Sequence, residues 1–370
     1  MSFGKIGDMI KSFFRKNRPF LIAGPCSVEN RDQLISTAQL LKDFGKVDLL
    51  RGGIWKPRTR PGAFEGIGEV GLDWMIEARQ LTGLPLAVEV AKTEHVEISL
   101  KKGIDVLWIG ARTTVNPFAV QEIAESLIGV DIPVMVKNPV NPDIALWFGA
   151  VERLQKVGIK DIAAIHRGFY FYGEKIYRNR PQWQIALDFK EAMPDFPLIT
   201  DPSHICGKRS NLKNVAQKAL DLNFDGLMIE SHYQPDIALS DAAQQVTPAD
   251  YSQLIESLTI RNNPVDAENI SPELDKLRDQ IDILDDEIIN LLSSRMDIAR
   301  SIGKVKNHKN LTILQRERWA EIYNKYLRRA TELGISEDFI NQIIKAIHLE
   351  SIEQQEKIMS ENKLDTRYPE

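Results

Sequence analysis

Charged and polar side chains stand just past a series of short apolar runs. Cys26, one of only two cysteines in 370 residues, follows Phe20-Leu21-Ile22-Ala23 across a Gly-Pro turn. Arg51 closes the next run, with Lys56, Arg58 and Thr59 beyond it in RGGIWKPRT. Arg112 (GAR), Lys137 (VK), Arg167 (HRG), His204 (DPSH), Glu230 (IESH) and Asp241 (SD) close later ones. Two chemistries are present. Cys26, His204, Glu230 and Asp241 are sulfur, nitrogen and oxygen donors whose mixed softness suits a divalent metal ion such as Mn, Fe, Co or Zn. A buried strand would accept Cys26 as a small hydrophobe, but a loop has no packing use for it. Cys206, two residues past His204, is left out of this set. The others are cations: Arg51, Lys56, Arg58, Arg112, Lys137 and Arg167. On a chain of net charge −5 their convergence implies small polyanionic substrates, phosphates and carboxylates. Arginine grips such groups bidentately, whereas lysine acts as a point charge or proton donor. A metal beside bound phosphates would polarise a carbonyl for carbon–carbon bond formation.

A second group lies near the C-terminus. The stripe Leu274, Leu277, Ile281, Leu284, Ile288, Leu291, Ile298, Ile302, Val305 has helical spacing, and Arg295 interrupts it. Arg316, Trp319, Tyr323, Tyr326, Ala330 form a second stripe, and Ile340, Ile344, Ile347, Ser351, Gln355, Ile358 a third. Arg278 and Lys306 flank the first. Desolvating an arginine without an anion costs several kcal/mol, so polar groups on three apolar stripes point to an internal anion site. Snorkelling arginines in a plain coiled coil are the simpler alternative.

These side chains need a scaffold. Between residues 19 and 262 eight apolar runs alternate with amphipathic stretches. They are 20–24, 47–52, 85–90, 106–110, 133–137, 161–167, 197–204 and 226–232. Runs without polar alternation, separated by helices, predict a parallel sheet covered on both faces. Their number and span fit an α/β fold, a (β/α)₈ barrel with its chemistry at the C-terminal ends of the strands. An open doubly wound sheet is the alternative. Residues 1–18 read as an extension and 263–271 as a linker, with Asn262-Asn263-Pro264 breaking the last barrel helix and Ser271-Pro272 opening the next. Residues 272–359 read as all-helical, with helices at about 272–306, 314–332 and 336–359, and 360–370 as a loose tail. At ~1.5 Å per residue the first helix is roughly 50 Å long, too long for the second to cover, which predicts an intertwined homodimer.

Hydrophobic content of 43% and charged content of 27% describe an ordinary globular protein. Two cysteines argue against a disulfide scaffold and for a reducing, cytoplasmic setting. The acidic balance gives no reason to expect nucleic acid, and no apolar run approaches a membrane span.

GPCS, KPRT, GAR, HRG, DPSH and the IE…SD pair, in this order over residues 19–250, resemble 3-deoxy-D-arabino-heptulosonate 7-phosphate (DAHP) synthase of the shorter-barrel type. That enzyme condenses phosphoenolpyruvate with erythrose 4-phosphate. The resemblance implies Cys26, His204, Glu230 and Asp241 as metal ligands and Arg51, Lys56, Arg112, Lys137 and Arg167 as the phosphoenolpyruvate site. Arg58 and Thr59 would hold erythrose 4-phosphate, and Lys56 would protonate the new alkoxide. The related octulosonate synthases carry a KANRSS-like segment where this chain has KPRT.

LRDQIDILDDEIINLLSSRMDIARSIGKVK, LQRERW and ESIEQQ, within residues 272–358, resemble the all-helical chorismate mutases, which need no cofactor. The resemblance implies that Arg278 from the partner subunit, Arg295 and Arg316 hold the carboxylates of chorismate. Lys306 and Gln355 would donate to the ether oxygen, Glu317 would bind the hydroxyl, and Ser351 would line the pocket. Ile313 stands where the enteric enzymes have an acidic residue, on a shorter loop. The expected whole is a bifunctional enzyme inhibited by prephenate. The rival is a synthase whose tail only dimerises and senses chorismate or prephenate. A class II aldolase would leave the cation set without a role.

Overall fold

The computed structural model describes residues 18–57, 62–261, 272–314 and 316–364. The chain divides into two compact units, Met1–Asn263 and Pro264–Glu370.

In the first unit, eight parallel strands close a barrel in sequence order. They are β1 (Phe20–Gly24), β2 (Leu49–Gly52), β3 (Leu86–Val90), β4 (Val106–Ile109), β5 (Val134–Lys137), β6 (Ile162–His166), β7 (Leu198–Thr200) and β8 (Gly226–Glu230). Closure rules out the open sheet. Side chains on a strand alternate faces, and one phase fills the interior with Phe20, Ile22, Leu49, Ala87, Val106, Trp108, Met135, Ala163, Ile165, Ile199 and Met228. The other phase, Leu21, Ala23, Leu50, Leu86, Val88 and Leu107 among others, packs under the helices. Two residues further along the interior phase come Arg51, Glu89, Lys137, Arg167, Asp201 and Glu230, all buried. The uppermost layer of an otherwise apolar barrel is therefore charged. Gly24 pairs with Glu230, so Cys26 and the β8 carboxylate reach the same rim. Only glycine suits position 24, because its φ is +146° and a Cβ there would fall 2.1 Å from the Arg51 carbonyl oxygen.

Two stretches differ from the sequence reading. The run 197–204 is strand only through Thr200; Asp201 then caps a short helix, Pro202–Cys206, by accepting from the His204 amide. Pro202 in that first turn cannot continue a ladder. The last barrel helix, Pro248–Glu256, ends before Asn262 is reached. No described helix is long and apolar enough to cross a membrane.

His166, in the outward phase of β6, is fully buried against Phe169, Trp183 and Phe224. Its Nε2 donates to the Pro181 carbonyl at 2.6 Å, and Nδ1 has no partner among the described residues. Burial drives its pKa down to about 4. The unfolded chain therefore takes up this proton first, and stability present above pH ~6.5 falls as pH drops toward 4, by up to roughly 3 kcal/mol. Urea midpoints across this window should fall less steeply in His166→Gln than in the native chain.

The second unit holds three helices among the described residues: Pro272–His308, Arg316–Glu332 and Glu337–Leu364. The last continues into the stretch read as a loose tail, whose residues 360–364 are helical. Ser271 lies outside the described residues. The long and last helices pack closely because Gly303 has no side chain; a Cβ there would lie 3.1 Å from the Gln355 Cα. Trp319 stacks on His348, with centroids 3.8 Å apart, and the Tyr323 hydroxyl bonds Asn341 at 2.9 Å. Along the long helix the apolar stripe stays open: Leu277, Ile281, Leu284, Ile288, Leu291 and Ile298 are each at least 50% exposed.

Candidate active site

The charged layer forms the floor of a cavity of about 380 Å³ at the C-terminal mouth of the barrel. Lys56, Glu89, Arg112, Lys137, Arg167, Arg178, His204 and Asp241 line it. Arg51 lies beneath, fully buried, its guanidinium 5.0 Å from the centre of the Trp108 ring and 3.3 Å from both Glu230 Oε1 and the Cys26 carbonyl. Its Nε and one terminal nitrogen have no hydrogen-bond partner among the described residues. Burial opposes its charge, yet the carboxylates around it, Glu230 foremost with Asp201 and Glu89, help raise its pKa. Arg167 differs in outcome: burial lowers it to about 10, Asp201 only partly offsets this, and Arg178 and Arg112 add repulsion. A buried guanidinium with idle donors, under further cations, favours an incoming anion. Arg58 and Thr59 lie outside the described residues.

Cys26, Glu230 and Asp241 present ligand atoms that all lie within 4.8 Å of one another. One ion with bonds of ~2.0–2.3 Å spans such a group. The Glu230 Oε1 oxygen is buried and has no hydrogen-bond partner among the described residues; with the Arg51 guanidinium 3.3 Å away, it keeps a lone pair for a metal ion. His204 stands beside the triad, its Nε2 3.7 Å from Glu230 Oε1. Its Nδ1 is 2.8 Å from Asp201 Oδ2, which also takes the Lys137 ammonium at 2.7 Å. That arrangement turns Nε2 toward the triad, as a carboxylate behind a ligating histidine does. Burial, with Glu230 adding to it, pushes the Cys26 thiol up to about 12, so the metal-free group is a thiol pointing at Asp241 Oδ2, 3.3 Å away. Lys56 Nζ lies 3.2 Å from the same sulfur. A divalent ion would displace the thiol proton. Cys206 instead joins the core outside the barrel.

In the helical unit, Arg295 bonds Ser351, Gln355 donates to the Ser351 carbonyl at 2.9 Å, and Lys306 bonds the Ile313 carbonyl. Ser351 and Gln355 are buried, and Gln355 Oε1 has no partner among the described residues. Arg295, Ser351 and Gln355 are thus brought together, with Lys306 about three turns further along the long helix that carries Arg295. Arg278 remains exposed beside Asp275, and Glu317 is exposed. The Arg316 side chain lies outside the described residues.

Sequence reasoning passes over Glu89, Asp201, Arg178 and Gln244. Glu89 and Asp201 share the two-residue phase of Arg51 and Glu230, a signal the sequence contains. Arg178 and Gln244 sit in long loops, where no periodicity marks them.

Residues 13–262 match the DAHP synthetase I family. The chain belongs to that family. Residues 277–356 match chorismate mutase type II, so this family member carries a DAHP synthase barrel and a chorismate mutase domain, a pairing that supports a bifunctional enzyme of aromatic biosynthesis. The phospho-2-dehydro-3-deoxyheptonate aldolase of Thermotoga maritima is 32% identical over 238 residues, covering 64% of this chain and 68% of that protein. The 2-dehydro-3-deoxyphosphooctonate aldolase of Legionella pneumophila is 26% identical over 260 residues, 65% of this chain and 90% of that one. The crystal structure of the Thermotoga maritima DAHP synthase superposes with a TM-score of 0.58 at 29% identity, covering 71% of this chain and 70% of that chain.

Proposed function

We propose that the barrel condenses phosphoenolpyruvate with erythrose 4-phosphate to DAHP and phosphate, and that the helical domain turns chorismate into prephenate. The carrying observation is the donor triad of Cys26, Glu230 and Asp241 beside the buried, underused guanidinium of Arg51. Arg51, Lys56, Arg112, Lys137 and Arg167 hold the phosphate and carboxylate of phosphoenolpyruvate, and Arg58 and Thr59 the phosphate of the aldose. Cys26, His204, Glu230 and Asp241 would hold a divalent metal, Mn, Fe, Co or Zn, whose chemistry when bound is to polarise the aldehyde carbonyl. The enol carbon attacks that carbonyl, and Lys56 protonates the alkoxide from its place beside Cys26. Burial opposes the Lys56 charge, but Cys26 and Glu89 outweigh burial and raise its pKa, so the ammonium is the form at hand. Water adds at the enol-derived C2, and phosphate departs by C–O cleavage.

In the helical domain Arg295, Arg316 and the partner's copy of Arg278 grip two carboxylates, and Ser351 lines the pocket. Lys306 and Gln355 donate to the ether oxygen, and Glu317 meets the hydroxyl. A unimolecular rearrangement gains from one fixed conformer and matched charge, with no cofactor. The open apolar stripe of the long helix and the exposure of Arg278 support a homodimer formed through this domain. Ile313 and exposed Glu317 favour the second reading, a domain that binds prephenate or chorismate as a signal without turning it over. Two free thiols suit a cytoplasmic setting; substrates are small molecules, with neither nucleic acid nor membrane as partner.

Assaying one preparation for phosphate release and for chorismate loss, with and without chelator, tests this reading. Chelator should silence the first and spare the second; phosphate release that survives metal removal contradicts the barrel assignment, and an intact chain that never consumes chorismate favours the signal reading. Saturating prephenate should slow phosphate release, and unchanged kinetics would reject feedback.

A further inference from the structure

The four-donor site leaves open what aims its two carboxylates. Each has two oxygens, and a metal needs one from each turned inward. Asp241 Oδ2 and Glu230 Oε1 are the inward pair: the first accepts from the Cys26 thiol at 3.3 Å, and the second lies 3.7 Å from His204 Nε2. The outer pair is taken. One terminal nitrogen of Arg178 lies 2.9 Å from Asp241 Oδ1 and donates to Gln244 Oε1 at 2.7 Å. Gln244 in turn donates from Nε2 to Glu230 Oε2 at 2.6 Å. A single chain of contacts thus runs from one carboxylate to the other and occupies the oxygen of each that faces away from the thiol.

The chain is built into the fold. The Arg178 and Asn179 amides both donate to the Ile205 carbonyl, at 3.0 and 3.1 Å, and the Asn179 side chain donates to the His204 carbonyl at 2.6 Å. Asp241 holds φ at 52°, in the left-handed region that aspartate enters more readily than most side-chain-bearing residues. Gln244, 1% exposed, closes that turn with its own amide on the Asp241 carbonyl at 3.1 Å.

We propose that Arg178 and Gln244 act as positioning residues for the metal site, fixing the outer oxygens of Asp241 and Glu230 so that the inner ones converge with the Cys26 sulfur. The proposal rests on the metal reading of the barrel. Arg178 also supplies a positive charge beside a donor set that carries three negative ones when Cys26 is a thiolate. Because both contacts leave one nitrogen, a lysine ammonium at this position can replace them in kind, whereas a neutral amide cannot.

The test is cobalt titration of the full-length, metal-stripped protein, following the thiolate-to-cobalt absorption band and using urea unfolding as a separate readout. Arg178→Gln and Gln244→Leu should each weaken cobalt binding about 10- to 100-fold, the size typical of groups that orient ligands. Arg178→Lys should recover most of the loss. The double variant should lose about as much as the weaker-binding single variant, because both substitutions cut one chain. Arg178→Gln that binds cobalt as the native chain does, with only its urea midpoint lowered, overturns the proposal and leaves the metal site standing. A native protein that shows no thiolate band overturns both.

Discussion

Cys26→Ala loses phosphate release from phosphoenolpyruvate and erythrose 4-phosphate by about 10³-fold or more, while chorismate consumption continues at its native rate. The expected size follows from the chemistry removed. A metal that polarises a carbonyl supplies several kcal/mol, and ~4 kcal/mol corresponds to about three powers of ten in rate. The backbone at this position stays anchored, because the Cys26 amide donates to Gln245 Oε1 at 2.9 Å and its carbonyl accepts from Arg51. Loss of one small sulfur from a buried site leaves only a small void, so folding survives. The assay is phosphate release alongside metal content of the purified variant. Native turnover with native metal content would remove Cys26 from the ligand set.

The opposite dissociation is expected from Arg295→Ala. Chorismate consumption should fall by about 10²–10³-fold, the loss typical when one preorganised donor to a reacting anion is removed. Phosphate release from the barrel should be unchanged. Arg295 occupies a position on the long helix that its neighbours Leu291 and Ile298 mark as apolar, yet its guanidinium bonds the buried Ser351 hydroxyl one helix away. Lysine there keeps the charge and loses the planar fork, so Arg295→Lys should fall between the two. Turnover unaffected by Arg295→Ala would take the carboxylate site away from this residue. Measured together, the two variants test whether the chain carries two separable activities.

The barrel is legible in the sequence because a parallel strand covered on both faces must be apolar throughout. An arginine or glutamate at the end of such a run can only stand at the rim, where solvent or substrate meets it. Strand order follows from the alternation of strand and helix. The phase within each strand is harder to see. Glu89 lies inside β3, not after it, and Asp201 caps a helix that an apolar run joins to β7 without a break. Both point into the barrel in the phase of Arg51 and Glu230, Glu89 lining the cavity and Asp201 buried behind His204 and Lys137. Arg178 and Gln244 cannot be found this way, since their placement depends on where long loops after β6 and β8 meet. In the helical unit the stripes of apolar residues give the helices, and Arg295, Ser351 and Gln355 meet as their spacing suggests. Arg278 does not join them within one chain; it stays exposed beside Asp275. The end of the last helix is hidden because nothing in SENKL, without proline or glycine, stops a helix before Leu364.

One measurement bears most directly on the metal centre: anomalous scattering from crystals of the protein grown with zinc. A single peak at the barrel mouth, about 2.3 Å from the Cys26 sulfur and about 2.0–2.1 Å from His204 Nε2, with Glu230 and Asp241 completing the shell, is the expected result. A peak bonded to other side chains, or one that Cys26 and His204 do not share, would contradict it.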